Sequence, residues 1–98
     1  SVDDSAAQSA WVVGPSPFRR ELRVAYRGDA GARRSNAVVE VFGLDGRRVT
    51  RAALSPETPY FVWDWRADDG VAVSSGVYFV RVNDGARRVL ERRVIRIE

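Results

Sequence analysis

Residues 66–82 read RADDGVAVSSGVYFVRV. An acidic, Gly-containing stretch runs into aromatic and β-branched residues. The second half alternates: Tyr78, Val80 and Val82 share one side of an extended chain, Phe79 and Arg81 the other. That period of two marks a strand with one buried face. The first half has two readings. Asp64, Asp68 and Asp69 with Gly70 either gather oxygens around calcium or form the turn between two strands. A calcium loop places acids at alternate positions, with a Gly at a fixed place and a bidentate Glu downstream. Here Arg66 puts a positive charge at a ligand position, the Gly comes one place late, and no such Glu follows. Asp at turn positions with Gly at positive φ is the expected reading. A glycosidase acid pair needs a cleft that nothing here supplies.

The same period recurs outward in both directions. In YFVWDWR, Phe61, Trp63 and Trp65 oppose Val62 and Asp64. In ELRVAYR, Leu22, Val24 and Tyr26 share a face, and in AVVEVF, Ala37, Val39 and Val41 face inward because Glu40 fixes the outer side. RRVTRAAL is a short strand with a weak apolar face. Asp45-Gly46 and Asp84-Gly85 are hairpin signals. WVVGPSPF is an extended edge segment, since Gly14, Pro15 and Pro17 forbid a helix. The last stretch, RRVLERRVIRIE, changes phase: Val89 and Glu91 share parity with Ile95 and Ile97, Leu90 and Arg92 with Val94. A bulge near Arg92-Arg93 would reconcile the two. No stretch has helical periodicity. Seven short strands with turn signals between them predict an all-β, Ig-like antiparallel β-sandwich. Residues 1–10 read as a polar linker and residues 11–98 as the domain.

Composition bounds the chemistry. The chain has 98 residues, one domain's worth, able to bury roughly 65% of its unfolded surface. It has neither Cys nor His. Disulfides, thiolate nucleophiles, His-based triads and the commonest transition-metal sites are therefore excluded. No apolar run is long enough to span a membrane as a helix. There is no Met, so the chain reads as a piece of a longer protein. All 16 basic residues are Arg, against 13 acids. Five Arg-Arg pairs are scattered along the chain with acids close to several, so no basic block for nucleic acid emerges. Adjacent strand residues face opposite ways, so these pairs belong at turns, bulges, strand ends or edges. Outward Phe42 and Phe79 are candidates for an exposed apolar patch.

Three motifs in order carry a family resemblance. WDWRADDGVAVSSGVYFVRV resembles the signature of type A C-terminal sorting domains of the type IX secretion system, shared with the Ig-like domain of flagellar hook-capping proteins. Trp63, Asp64, Arg66, Asp69, Gly70, Val73, Ser75, Gly76, Val77 and Tyr78 match it in register. Upstream, Gly46, Arg47 and Val49 resemble the family's Gly-Arg-x-Val turn, and Pro15, Pro17 and Phe18 its opening Pro-Asn-Pro-Phe element. Ser16 stands where Asn is usual, Trp65 where Gly is, and Gly43 where Asp is. The resemblance implies a non-enzymatic module without cofactor that directs export or surface attachment of a larger Gram-negative protein. Its partners would be the secretion machinery or its parent's other domains. The residues expected to be recognised are Gly76, Tyr78, Arg92, Arg93, Val94, Ile95, Arg96 and Ile97, the last strand pairing by edge addition. An assembly domain, as in a hook cap or surface filament, is the alternative. A carbohydrate-binding module would require Trp65 or Trp11 exposed and coplanar with a second aromatic.

Overall fold

The alternating stretches form seven strands: β1 (Trp11–Gly14), β2 (Leu22–Tyr26), β3 (Ala37–Gly43), β4 (Arg48–Leu54), β5 (Tyr60–Trp63), β6 (Gly76–Asp84) and β7 (Arg87–Arg96). The structure, a computed structural model, describes residues 10–28, 36–85 and 87–98. All strand pairs are antiparallel. One sheet has the order β1-β2-β5, the other β4-β3-β6-β7. Hairpins join neighbours within a sheet, and the β2–β3, β4–β5 and β5–β6 connections change sheet. The result is the expected Ig-like β-sandwich. The linker expectation for residues 1–10 falls mostly outside the described residues. Ala10 is described: its carbonyl accepts the Arg27 N–H at 2.6 Å, and it packs on the core.

The core lies where the alternation put it. Leu22 and Val24 of one sheet and Ala37, Val39, Val41, Val80, Val82 and Val94 of the other are fully buried. Each buried Val or Leu side chain contributes roughly 1.5–3 kcal/mol. The two inner faces are joined by aromatic contacts. Trp63 from β5 meets Phe18 at 5.5 Å and Tyr78 from β6 at 5.2 Å between ring centroids.

Three sequence expectations are corrected. The β7 bulge lies at Val89, not at Arg92-Arg93: Val82 pairs with Leu90 and Asn83 with Arg88. The bulge lets two consecutive apolar residues, Val89 and Leu90, both turn inward. Arg92 and Arg93 instead lie in regular ladder on an edge strand. Arg92 pairs with buried Val80, so it projects from the core-facing side yet stays exposed. A charge pointing inward on an edge blunts strand-to-strand association. The strand carrying Phe61 and Trp63 stops at Trp63, so Trp65 is not on it. Trp65 has φ 57°, the left-handed region, which turns the chain out of the sheet. Finally, Phe42 and Phe79 do face outward as a cross-strand pair, but both are half-buried, and the Arg81 guanidinium lies 4.6 Å from the centroid of Phe42. They do not form an open apolar patch.

The other described Arg pairs obey the sheet geometry. Arg19 and Arg20 lie in the bend after Phe18, Arg47 and Arg48 follow the β3–β4 turn, and Arg87 and Arg88 precede the β7 bulge.

Candidate functional site

The Asp-rich stretch is a turn pinned to the neighbouring sheet. Gly70 N–H bonds to the Ala67 carbonyl and Ala67 N–H to the Val71 carbonyl, both at 2.9 Å. Each carboxylate has its own partner. Asp69 accepts from the Val71 N–H at 2.9 Å, an Asx turn. Asp68 accepts from the Thr50 hydroxyl at 2.7 Å, and its own N–H reaches the Val49 carbonyl. Asp64 lies 3.9 Å from Arg66. Arg66, the residue that spoiled the calcium pattern, donates to the Gly70 carbonyl at 3.0 Å and closes the loop. Thr50 is the one buried polar residue among the described core, so the Asp68 bond satisfies a group that would otherwise be orphaned. Among the described residues, no group of three acids could hold a metal ion.

The following SSGVY stretch builds a corner. Tyr78 is 6% exposed, and its hydroxyl donates to the Ser74 carbonyl at 2.5 Å. This is the tyrosine-corner arrangement of Ig-like sandwiches, in which a Tyr near a strand's start clamps the crossing loop. Gly76 opens β6 at φ 146°, a conformation open to Gly and closed to L side chains. Nothing lies within 4 Å of where its Cβ would stand, so the backbone, not crowding, requires Gly there. A shallow groove of about 570 Å³ separates this corner from the Gly43–Arg47 turn, bringing two of the three sequence motifs side by side.

The third motif reaches the last strand. Phe18 is 2% exposed and forms an isolated parallel bridge with Arg96. Its N–H donates to the Ile95 carbonyl at 2.9 Å, and its carbonyl accepts the Ile97 N–H at 2.8 Å. The Ser16 hydroxyl oxygen accepts the Ile95 N–H at 3.1 Å. A side-chain oxygen is what this position needs, and the Asn usual in the resembled family also carries one. Both prolines follow cis peptide bonds. Arg19 Nη1 donates to the Glu98 carbonyl oxygen. The outer edge of β7 is thus already covered at Ile95 and Ile97. Strand addition there requires displacing Phe18. By the alternation of an antiparallel ladder, the backbone groups of Glu91 and Arg93 point to the same edge. Among the described residues, no backbone bond outside the ladder reaches them.

The residues expected to be recognised therefore divide. Tyr78 and Val94 are buried and hold the fold. Arg92, Arg93, Ile95 and Ile97 are exposed. Arg96 is half-buried: it donates to the Val73 carbonyl at 3.3 Å and stacks 5.0 Å from the Trp65 ring centroid, with its Nε buried and unpartnered. The Arg66 guanidinium also lies by Trp65, at 5.7 Å. The sequence did not signal that Arg96, thirty-one residues beyond Trp65, would join Arg66 beside the Trp65 ring. Trp11 is 4% exposed and its ring is tilted 58° to Tyr26. Neither Trp11 nor Trp65 provides the flat, open platform that the carbohydrate reading required.

No family model and no curated protein matches the chain. Solved structures do. Dimeric latent PorU from Porphyromonas gingivalis superposes with a TM-score of 0.69 and 21% identity, over 89% of this chain and 9% of that one. PorZ of the same organism, described as an essential bacterial surface component of the type-IX secretion system, gives 0.69 and 24%, over 97% of this chain and 12% of that one. At these identities the likeness is one of fold. The chain spans about a tenth of the length of these two structures.

Proposed function

We propose that this chain is a non-catalytic Ig-like module through which a larger bacterial protein is exported to, or held at, the cell surface. Its reader would be a type IX secretion apparatus or another domain of the parent protein. The motif order in the sequence supports this reading, and so does the shared fold with PorU and PorZ. The observation that carries it is the joining of the Pro element to the last strand through Phe18 and Ser16. Two motifs far apart in sequence become one surface, with exposed Arg92 and Arg93 beside it. That geometry supports recognition of a folded surface rather than of a linear tail.

The test is substitution rather than truncation, because removing residues 92–98 also removes the buried Val94. In a full-length parent, Arg92→Ser with Arg93→Ser should reduce export severalfold. Both side chains are exposed, so the isolated chain should lose no more than about 0.5 kcal/mol of stability. Undiminished export by a folded double variant sinks the proposal. If export persists but the parent no longer assembles, the assembly role is favoured instead.

A further inference from the structure

The two outer sheet faces differ in how their charges are matched. On the four-stranded sheet, one row across the ladder reads Arg51, Glu40, Arg81, Glu91. Arg81 and Arg88 reach Glu91 at 3.3 and 3.2 Å, and Arg48 reaches Glu40 at 3.5 Å. Three Arg residues of that face, Arg48, Arg81 and Arg88, thus have Glu partners. On the three-stranded sheet, Val12, Ala25 and Tyr60 form one row, and Gly14, Arg23 and Val62 the next. Val12, Tyr60 and Val62 are 39%, 46% and 38% exposed, three of the seven exposed large hydrophobics among the described residues. Small Ala25 and Gly14 leave a depression of about 400 Å³ at the β1 side, walled by Tyr60 and bordered by Arg23 and Arg27. Among the described residues no acid lines it, and neither Arg makes an ion pair. Arg23 lies 5.0 Å from the Tyr60 ring centroid, which holds its guanidinium over the apolar row. Asp64, the residue after β5, already faces Arg66.

We infer that the outer face of β1, β2 and β5 docks an extended protein segment carrying apolar and acidic residues two positions apart. Ala25 and Arg23 lie two residues apart on one strand face, about 6.6 Å at the rise of a strand. An extended partner repeats its same-side residues at that spacing. One apolar side chain seats over Ala25 against Tyr60, and the next same-side carboxylate meets Arg23 in a charge-assisted hydrogen bond. The unpaired Arg residues select against basic partners. This inference does not depend on the export reading.

The isotope-labelled chain, titrated with a synthetic peptide of three Leu-Thr-Asp-Thr repeats, tests it. Saturable amide shifts are expected at Val12, Arg23, Ala25, Tyr60 and Val62. Binding should weaken at least tenfold in Arg23→Ser and in Tyr60→Ser, two exposed positions whose variants keep the wild-type spectrum elsewhere. Replacing Asp by Lys in the peptide, or Leu by Ser, should abolish binding. Absence of saturable shifts, shifts centred on Phe42 and Phe79, or equal binding of the Lys peptide would each overturn the proposal. Competition by a polyphosphate or a polyuronate at the same residues, with no need for the apolar side chain, would also overturn it in favour of a polyanion.

Discussion

Trp63 and Tyr78 meet edge-to-face across the sandwich, ring centroids 5.2 Å apart and planes at 71°. One ring comes from each sheet, and each polar tip has a backbone partner. Trp63 Nε1 donates to the Arg66 carbonyl at 2.9 Å, and the Tyr78 hydroxyl donates to Ser74. The pair thus fixes both ends of the 64–75 connection while filling the core. Trp63→Ala leaves a cavity and frees that carbonyl, a loss of about 3–5 kcal/mol. Tyr78→Phe keeps the ring and loses the clamp, about 1–2 kcal/mol. Urea denaturation should rank the two in that order. An unchanged midpoint for Tyr78→Phe would remove the tyrosine corner from the account.

Asp68 and Asp64 look equivalent in sequence and are not equivalent in the fold. Asp68→Ala leaves the Thr50 hydroxyl without its acceptor and should cost about 1–2 kcal/mol. Asp64→Ala removes one exposed, long ion pair and should cost less than about 0.5 kcal/mol. Thermal melts with and without millimolar calcium check the same point. The melting temperature should not move, since a ligand that binds the native state raises it.

Trp65 carries a left-handed backbone on a large side chain. Removing the ring loses its contacts with the core, Arg66 and Arg96 in any variant. The backbone cost remains in Trp65→Ala and vanishes in Trp65→Gly. The Gly variant should therefore be the more stable of the two by about 1 kcal/mol, by chemical denaturation. Equal stabilities would mean that the chain relaxes out of this conformation once the ring is gone.

Ser16 and Ile95 give a local test of the joined surface. Ser16→Ala should speed hydrogen exchange at the Ile95 amide severalfold, whereas Ser16→Asn, which retains an acceptor, should protect it. The Ile97 amide, held by Phe18, should stay protected in both. Fast exchange at Ile97 in the native chain would contradict the bridge between the Pro element and β7.

The alternation in the chain was enough to give seven strands, both inner faces and the turn character of the Asp-Gly stretches. Period two, β-branched side chains and Gly at turns are local properties. Lack of His and Cys likewise bounded the chemistry without any structure. Where two phases met in the last strand, the sequence signalled a bulge but not its position. That was decided by Val89 and Leu90 finding room on the same inner face, a matter of what lies opposite. Trp65 was legible as aromatic and misleading as to place, because its left-handed backbone takes it off the strand, whereas Tyr78 lies on the inward side that the alternation indicated.

Pairing at a distance belongs to the tertiary structure alone. Nothing in the spacing of Ser16, Phe18, Ile95 and Ile97 announces that they share hydrogen bonds, nor that Arg96 lies by the Trp65 indole. Such contacts depend on how two sheets stack and where the edge strands end. The charge pattern also needed the ladder: among the described residues, Arg48, Arg81 and Arg88 on the four-stranded face meet Glu, and Arg23 on the three-stranded face meets no acid. Sequence decided which residues face outward. Only strand order and register decided which of them stand next to one another.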